Sequence, residues 1–300
     1  MAVELEKFIK NQLDNLPPDH PNRGYLSGLL ADTENYNARD DRGVAVDILN
    51  PSQLVEREHE ALRAFFGKEV RVFTPPSELF ETLKVAEVEG FGKILEPIYF
   101  PAVKFKQADK YPGWKVKPGE WYWDEVRDGN LKKNAAKLEG YWGLFDESRR
   151  PNYDGGRQMF AGDPLAPMLS QARKEGRIIV SVFQESVPEG SRFAVTSDEK
   201  EQIVFPQLAK ILRLTESVAI VRGPTEMEFN FAGNLRYPYL GEADTSEQLD
   251  DRHIGWRLLG GCSEMGGLAY VYSNWRNWGF DDRWDTVAFR PLVVFSPKLG

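Results

Sequence analysis

Gly260-Gly261 and Phe289-Arg290-Pro291 bracket a stretch that constrains this chain more than any other. Between the two anchors lie Tyr272, Asn274, Trp275, Asn277, Trp278, Phe280, Asp281, Asp282, Trp284 and Asp285. The framing residues are small or apolar and suit a core, whereas the middle alternates rings with short polar groups. So many polar neighbours are costly to bury without partners, so the segment is expected at the surface. Rings supply rigid contact area there and Asn or Asp supply hydrogen bonds, the mixture that adaptable binding surfaces use.

The remaining residues narrow the function by what they lack. Three histidines, His20, His59 and His253, are scattered without ligand spacing, and Cys262 is the single cysteine. An intrachain disulfide, a cysteine-based zinc cluster and a histidine-held metal are therefore not expected, and no cofactor is. A formal charge of −8 opposes general nucleic-acid binding, which needs a basic face. No apolar run reaches membrane-spanning length, and residues 1–10 are too charged for a signal peptide. Membrane insertion is not expected, and the compartment stays open; display on a virion or cell surface would need another route.

Helical spacing marks residues 3–15, with Leu5, Phe8, Ile9 and Leu13 on one face. Asn50-Pro51 opens a second helix whose stripe is Leu54, Val55, Leu62, Phe65 and Phe66. A short strand is expected over 70–73 and a helix over 76–88. From residue 97 the texture turns to extended segments, 97–105 and 140–145, with Trp121-Tyr122-Trp123 read as a strand with alternating rings. Asp163-Pro164 starts a helix ending near Gly176. Residues 178–183 and 218–221 read as strands. A helix is expected over 196–214, with Thr196 and Glu199 at capping-box spacing and an interruption at Pro206. The sum is an α+β chain with much loop surface.

A second ordered block is Arg222-Gly-Pro-Thr-Glu-Met-Glu-Phe-Asn-Phe-Ala-Gly233. Pro224 would begin a short helix with Glu226 in its first turn, and Met227 and Phe231 on its buried face. Together with Tyr237-Pro238-Tyr239-Leu240-Gly241, Arg257-Leu-Leu-Gly-Gly261-Cys262 and Ala288-Phe289-Arg290, it resembles the formylglycine-generating, sulfatase-modifying family. The resemblance covers residues 178–295 and implies a C-type-lectin-like fold, with residues 1–95 a helical or mixed segment packed on a domain of 96–300. It makes Glu226 and Glu228 scaffold, a helix-start carboxylate and a buried partner for Arg or backbone amides.

The same comparison argues against the family's oxidase chemistry. That chemistry needs two cysteines on copper, and the iron-dependent branch needs a histidine cluster. The Gly-Gly … Phe-Arg frame is also similar to the variable proteins of diversity-generating retroelements, in which the segment between the anchors is rewritten while the scaffold stays fixed. That resemblance implies a non-enzymatic protein binding a protein or glycan on a target surface through residues 262–287. Leu268-Ala269-Tyr270-Val271 would be a fixed buried strand. Glu264, Met265, Tyr272, Asn274, Trp275, Asn277, Trp278, Phe280, Asp282 and Trp284 would form the contact face.

Two rival readings stay open, and a third is set aside. One is an enzyme on the same scaffold, a degenerate formylglycine-type oxidase or a carbohydrate-active hydrolase with two carboxylates on one cleft. Another is a structural virion or surface protein whose aromatic segment makes an oligomer contact. Calcium on Asp281, Asp282 and Asp285 is the third, a poor fit because Arg283 competes as a counter-ion. Cys262 reads as a small buried residue rather than a reactive thiol.

Overall fold

Asn50 opens the first helix as its side chain predicts: Oδ1 accepts from the amides of Ser52 (3.1 Å) and Gln53 (3.4 Å). The computed structural model describes residues 50–179, 187–273 and 283–295. The helix expected over 3–15 and most of the strand expected over 178–183 lie outside them; residues 178 and 179 are not in a strand. Contacts divide the chain after Gln53, and the unit described below is Leu54–Gly300.

Helix α1 (Pro51–Phe66) buries Leu54, Leu62, Phe65 and Phe66, four of the five residues of its expected stripe, while Val55 is half-buried. Helix α2 (Ser77–Val88) follows. Residues 70–73 between them pair with no strand; the Phe73 carbonyl accepts instead from the indole of Trp142, at 2.8 Å. β-Branched residues favour an extended chain there, yet a strand exists only where a neighbour offers a ladder.

Two four-stranded sheets carry the rest. In the first, β1 (Leu95–Lys104) pairs with β2 (Lys137–Asp146), β2 with β8 (Leu292–Phe295), and β8 with β3 (Ala219–Arg222), all antiparallel. The closing strand is thus interior to the sheet, and Leu292, Val293 and Phe295 are buried. In the second sheet the order is β6 (Val271–Ser273), β5 (Trp256–Gly260), β4 (Ser246–His253), β7 (Val287–Phe289), with β4 and β7 parallel. This is a mixed α+β architecture.

Trp121-Tyr122-Trp123 lies in a helix, α3 (Glu120–Asp128), and not in a strand. Tyr122 and Trp123 are both buried although adjacent, which one face of a strand cannot achieve. Gly129 in the left-handed region (φ +79°) ends the helix. Helix α4 (Ala166–Lys174) starts three residues after the expected Asp163, whose Oδ1 accepts from the Leu165 amide at 3.0 Å, and stops before Gly176, at φ +69°.

The helical run after Thr196 has three parts: α5 (Ser197–Glu199), a π-helical turn (Lys200–Val204) and α6 (Phe205–Ile211). Both halves of the Thr196–Glu199 capping box form. Pro206 has no amide to give, and the wide turn ahead of it, closed by the Phe205 amide on the Lys200 carbonyl, absorbs the missing bond. Helix α7 (Glu226–Leu235) runs through the centre. Met227, Phe229, Phe231 and Ala232 are buried, and Phe231 packs 4.9 Å from the Phe65 ring.

The β4–β5 hairpin turns on Ile254 and Gly255, at φ +49° and +88°, between the pairs His253↔Trp256 and Arg252↔Arg257. A two-residue turn of this hand suits Asn or Gly, and a β-branched residue there is strained. Ile254 is 69% exposed, so packing compensates little. Ile254→Asn is expected to raise stability by about 1 kcal/mol. An unchanged or lower melting temperature would contradict the strain.

Candidate binding surface

Both ends of the segment expected to bind are tied to one buried ionic network. Arg290 is fully buried and donates from Nε and Nη2 to the two oxygens of Glu247, at 2.9 and 2.6 Å. Arg150 Nη1 lies 3.0 Å from the same carboxylate, while its Nη2 donates to the carbonyls of Gly261 (2.6 Å) and Leu240 (3.0 Å). Arg192 joins Asp146 to Asp163, and Asp146 lies 3.6 Å from Arg290. Burial pushes Glu247 up, but Arg290 and Arg150 outweigh it and hold the carboxyl below its ordinary range. Asp146 is held low in the same way, burial being overcome by Arg192 and Arg290. The network therefore clamps Gly261 at one end and Arg290 at the other.

The glycine pair is required by space. A Cβ on Gly261, at φ +82°, would meet the Leu240 carbonyl and Phe229 at 2.9 Å. One on Gly260 would stand 3.0 Å from Leu249 and 3.3 Å from Glu226 Oε2. Phe289 is buried beside Arg290. Cys262 is buried too, its thiol donating to the Asp244 carbonyl at 3.0 Å.

Beyond Cys262 the chain makes two short 3-10 turns, Ser263–Met265 and Gly267–Ala269, before β6. The buried strand expected over 268–271 is thus displaced: Leu268 and Val271 are buried, but the strand starts only at Val271. Gly267, at φ +61°, explains the turn, because it packs against Gly241 with no room for a Cβ. Asn230 holds the turn from beneath, donating to the Leu268 carbonyl (2.7 Å) while accepting from the Trp114 indole (2.8 Å).

The expected contact residues fall into four groups. Glu264 and Met265 are exposed on the first turn, Met265 by 63%. Tyr272 is half-buried in β6, its ring 5.5 Å from Trp121, which in turn lies 5.3 Å from the His253 ring. Trp284 is half-buried, and its carbonyl accepts from the Ala194 amide at 3.1 Å. Asn274, Trp275, Asn277, Trp278, Phe280 and Asp282 lie outside the described residues. Among the described residues no ring contact joins Tyr272 to Trp284. Asp285 accepts from the Tyr153 hydroxyl at 3.1 Å, and no cluster of three metal-ligating side chains occurs among the described residues.

Glu228 behaves as scaffold. It accepts from both terminal nitrogens of Arg222, the Thr225 amide and the Tyr141 hydroxyl. Burial raises its carboxyl, but Arg222 prevails and keeps it low. Glu226 is a helix-start carboxylate as expected, but its side chain is fully buried, and neither oxygen has a hydrogen-bond partner among the described residues. Asp251 lies alongside, accepting from the Glu226 amide at 2.6 Å, and the buried Tyr122 hydroxyl is likewise unpartnered. Burial and then Asp251 push Glu226 well above the ordinary range; burial is also the main cause raising Asp251, to about 7.

Nothing in the sequence marks Arg177 or Arg252 as site residues, and Trp121 offers a carbohydrate-stacking ring that a strand reading of its segment outweighs. Trp121 reaches Tyr272 only because its segment is helical. Arg177 and Arg252 are 75 positions apart and share a hollow through the fold alone. Comparison with family models, curated proteins and solved structures finds no match to this chain.

Proposed function

We propose that this chain is a non-enzymatic binding protein with a C-type-lectin-like fold, akin to the formylglycine-generating-enzyme scaffold and to retroelement-diversified variable proteins. Its partner would be a protein or glycan on a target surface, met by residues 262–287, as in receptor recognition by phage or virus. The observation that carries this reading is the clamp at both ends of the segment. Gly261 and Arg290 share one buried network, so the fold holds the segment's termini whatever stands between them. A surface whose contents are exchanged needs that independence.

The hydrolase alternative needs two carboxylates facing one cleft. The pair with raised carboxyls, Glu226 and Asp251, is buried, and Gly260 closes over Glu226, which supports a structural role for it. The reading is tested by probing arrays of glycans and surface proteins with the fluorescently labelled chain. Trp275→Ala, Trp278→Ala and Trp284→Ala are each expected to cost about 2 kcal/mol of binding at a hot spot. Unchanged affinity in all three folded variants would overturn the assignment. Solution mass of Trp278→Ala separates ligand contact from an oligomer contact.

A further inference from the structure

A hollow of about 680 Å³ opens between the Thr196 end of the helical run and the β4–β5 hairpin. Four arginines line it, Arg177, Arg252, Arg257 and Arg283, together with Trp256. Two of the four are engaged in close ion pairs: Arg283 with Glu199 at 2.6 Å, and Arg257 with Glu201 and, at 3.0 Å, Asp250. The other two keep donors in reserve. Arg177 meets Glu175 through Nε at 2.6 Å, and its side chain is 43% exposed. Among the described residues its terminal nitrogens donate no hydrogen bond. Arg252, equally exposed, makes only long contacts among the described residues, Nη1 to the Gly255 carbonyl at 3.4 Å and Nη2 to Glu201 at 3.4 and 3.5 Å, because Arg257 already holds that carboxylate closely.

A guanidinium presents a planar fork that matches the paired oxygens of a carboxylate or phosphate. Two forks with unused donors share one largely polar hollow with Trp256, Asp198 and Glu199, and Glu199 is already paired with Arg283. We infer that Arg177 and Arg252 anchor an oxyanion, carboxylate or phosphate, in this hollow. Resting on the binding-protein reading above, the two anchors are a constant part of the surface. Both arginines lie outside 262–287, whereas Arg283, which also lines the hollow, lies inside that segment.

The test is calorimetric titration of the full chain with glucuronate, inorganic phosphate and, as the uncharged control, glucose. At least one oxyanion is expected to bind with Kd of about 1 mM or tighter, and glucose not. Arg252→Ala and Arg177→Ala should each weaken that binding roughly tenfold. Arg252→Lys, which keeps the charge and loses the fork, should fall between, and Arg149→Ala should change nothing. Preference for glucuronate assigns a carboxylate ligand, and preference for phosphate a phosphorylated one. No oxyanion binding above glucose, or binding that survives both alanine substitutions, overturns the site. The array experiment separates the two proposals: tryptophan-dependent array binding without oxyanion binding removes the hollow alone. Oxyanion binding with arrays indifferent to the tryptophans removes the aromatic face alone.

Discussion

Arg290→Met is expected to destabilise the fold by about 3–5 kcal/mol, because it leaves Glu247 and Asp146 buried with too little positive charge. Methionine fills much of the volume, so lost packing is the smaller part. The remaining cations are already committed: Arg150 to Glu247 and two carbonyls, Arg192 to Asp146 and Asp163. Removing the matching anion as well, in Arg290→Met with Glu247→Gln, should recover part of the loss, although Arg150 then lacks its charge partner. Denaturant unfolding of the single and double variants measures both. A single variant within 1 kcal/mol of the parent would show that the network contributes little. The same experiment bears on binding, since Arg290 fixes the downstream end of the segment.

The second large effect is on pH. Glu226 and Asp251 hold protons more tightly folded than unfolded, Asp251 to about 7. A raised carboxyl contributes stability that is complete below the unfolded value, near 4, and is lost as pH rises through the folded one. Asp251 alone makes that loss on the order of 4 kcal/mol between pH 4 and 8. Glu247, Asp146 and Glu228 act in the opposite sense. Their carboxyls are held low, so their contribution is present above about pH 4 and vanishes as pH falls below it. Stability should therefore peak between about pH 4 and 6 and decline towards pH 8. Asp251→Asn should flatten the decline, since an amide cannot ionise, and Glu226→Gln should flatten it further. Melting temperatures of the three proteins across that range decide the matter. A parent profile that rises from pH 5 to 8 would mean the acid pair is stabilised when charged.

Sequence pattern read the local starts well. Asn50 and Thr196 cap helices through their own side chains, a signal contained within four residues, whereas the start expected at Pro224 falls at Glu226, behind a Thr225 cap. The arrangement of Gly260, Gly261, Phe289 and Arg290 as a frame was also legible, because small and anchoring residues stand at fixed places in order. What escaped depends on distant partners. Residues 70–73 have strand composition but no neighbouring ladder. Trp121 and Trp123 alternate like a strand, yet Tyr122 between them is wholly buried against the core and draws the segment into a helix. Leu268 sits in a turn since Gly241 and Gly267 approach closely. Glu226 stands at a favourable helix start, and only the fold reveals that Gly260 and Asp251 enclose it without a counter-charge. The hollow's arginines come from separate elements, so no spacing could announce them.

The place of Leu292–Phe295 between β2 and β3 has a consequence for biosynthesis. The first sheet joins β2 to β3 only once residues 292–295 have left the ribosome, so chains that stop short of them cannot close it. A frameshift or stop codon anywhere from 262 to 287 removes that strand along with Arg290. Such products would leave β2 and β3 without the strand that joins them, so an intact reading frame through 262–287 is a condition of folding.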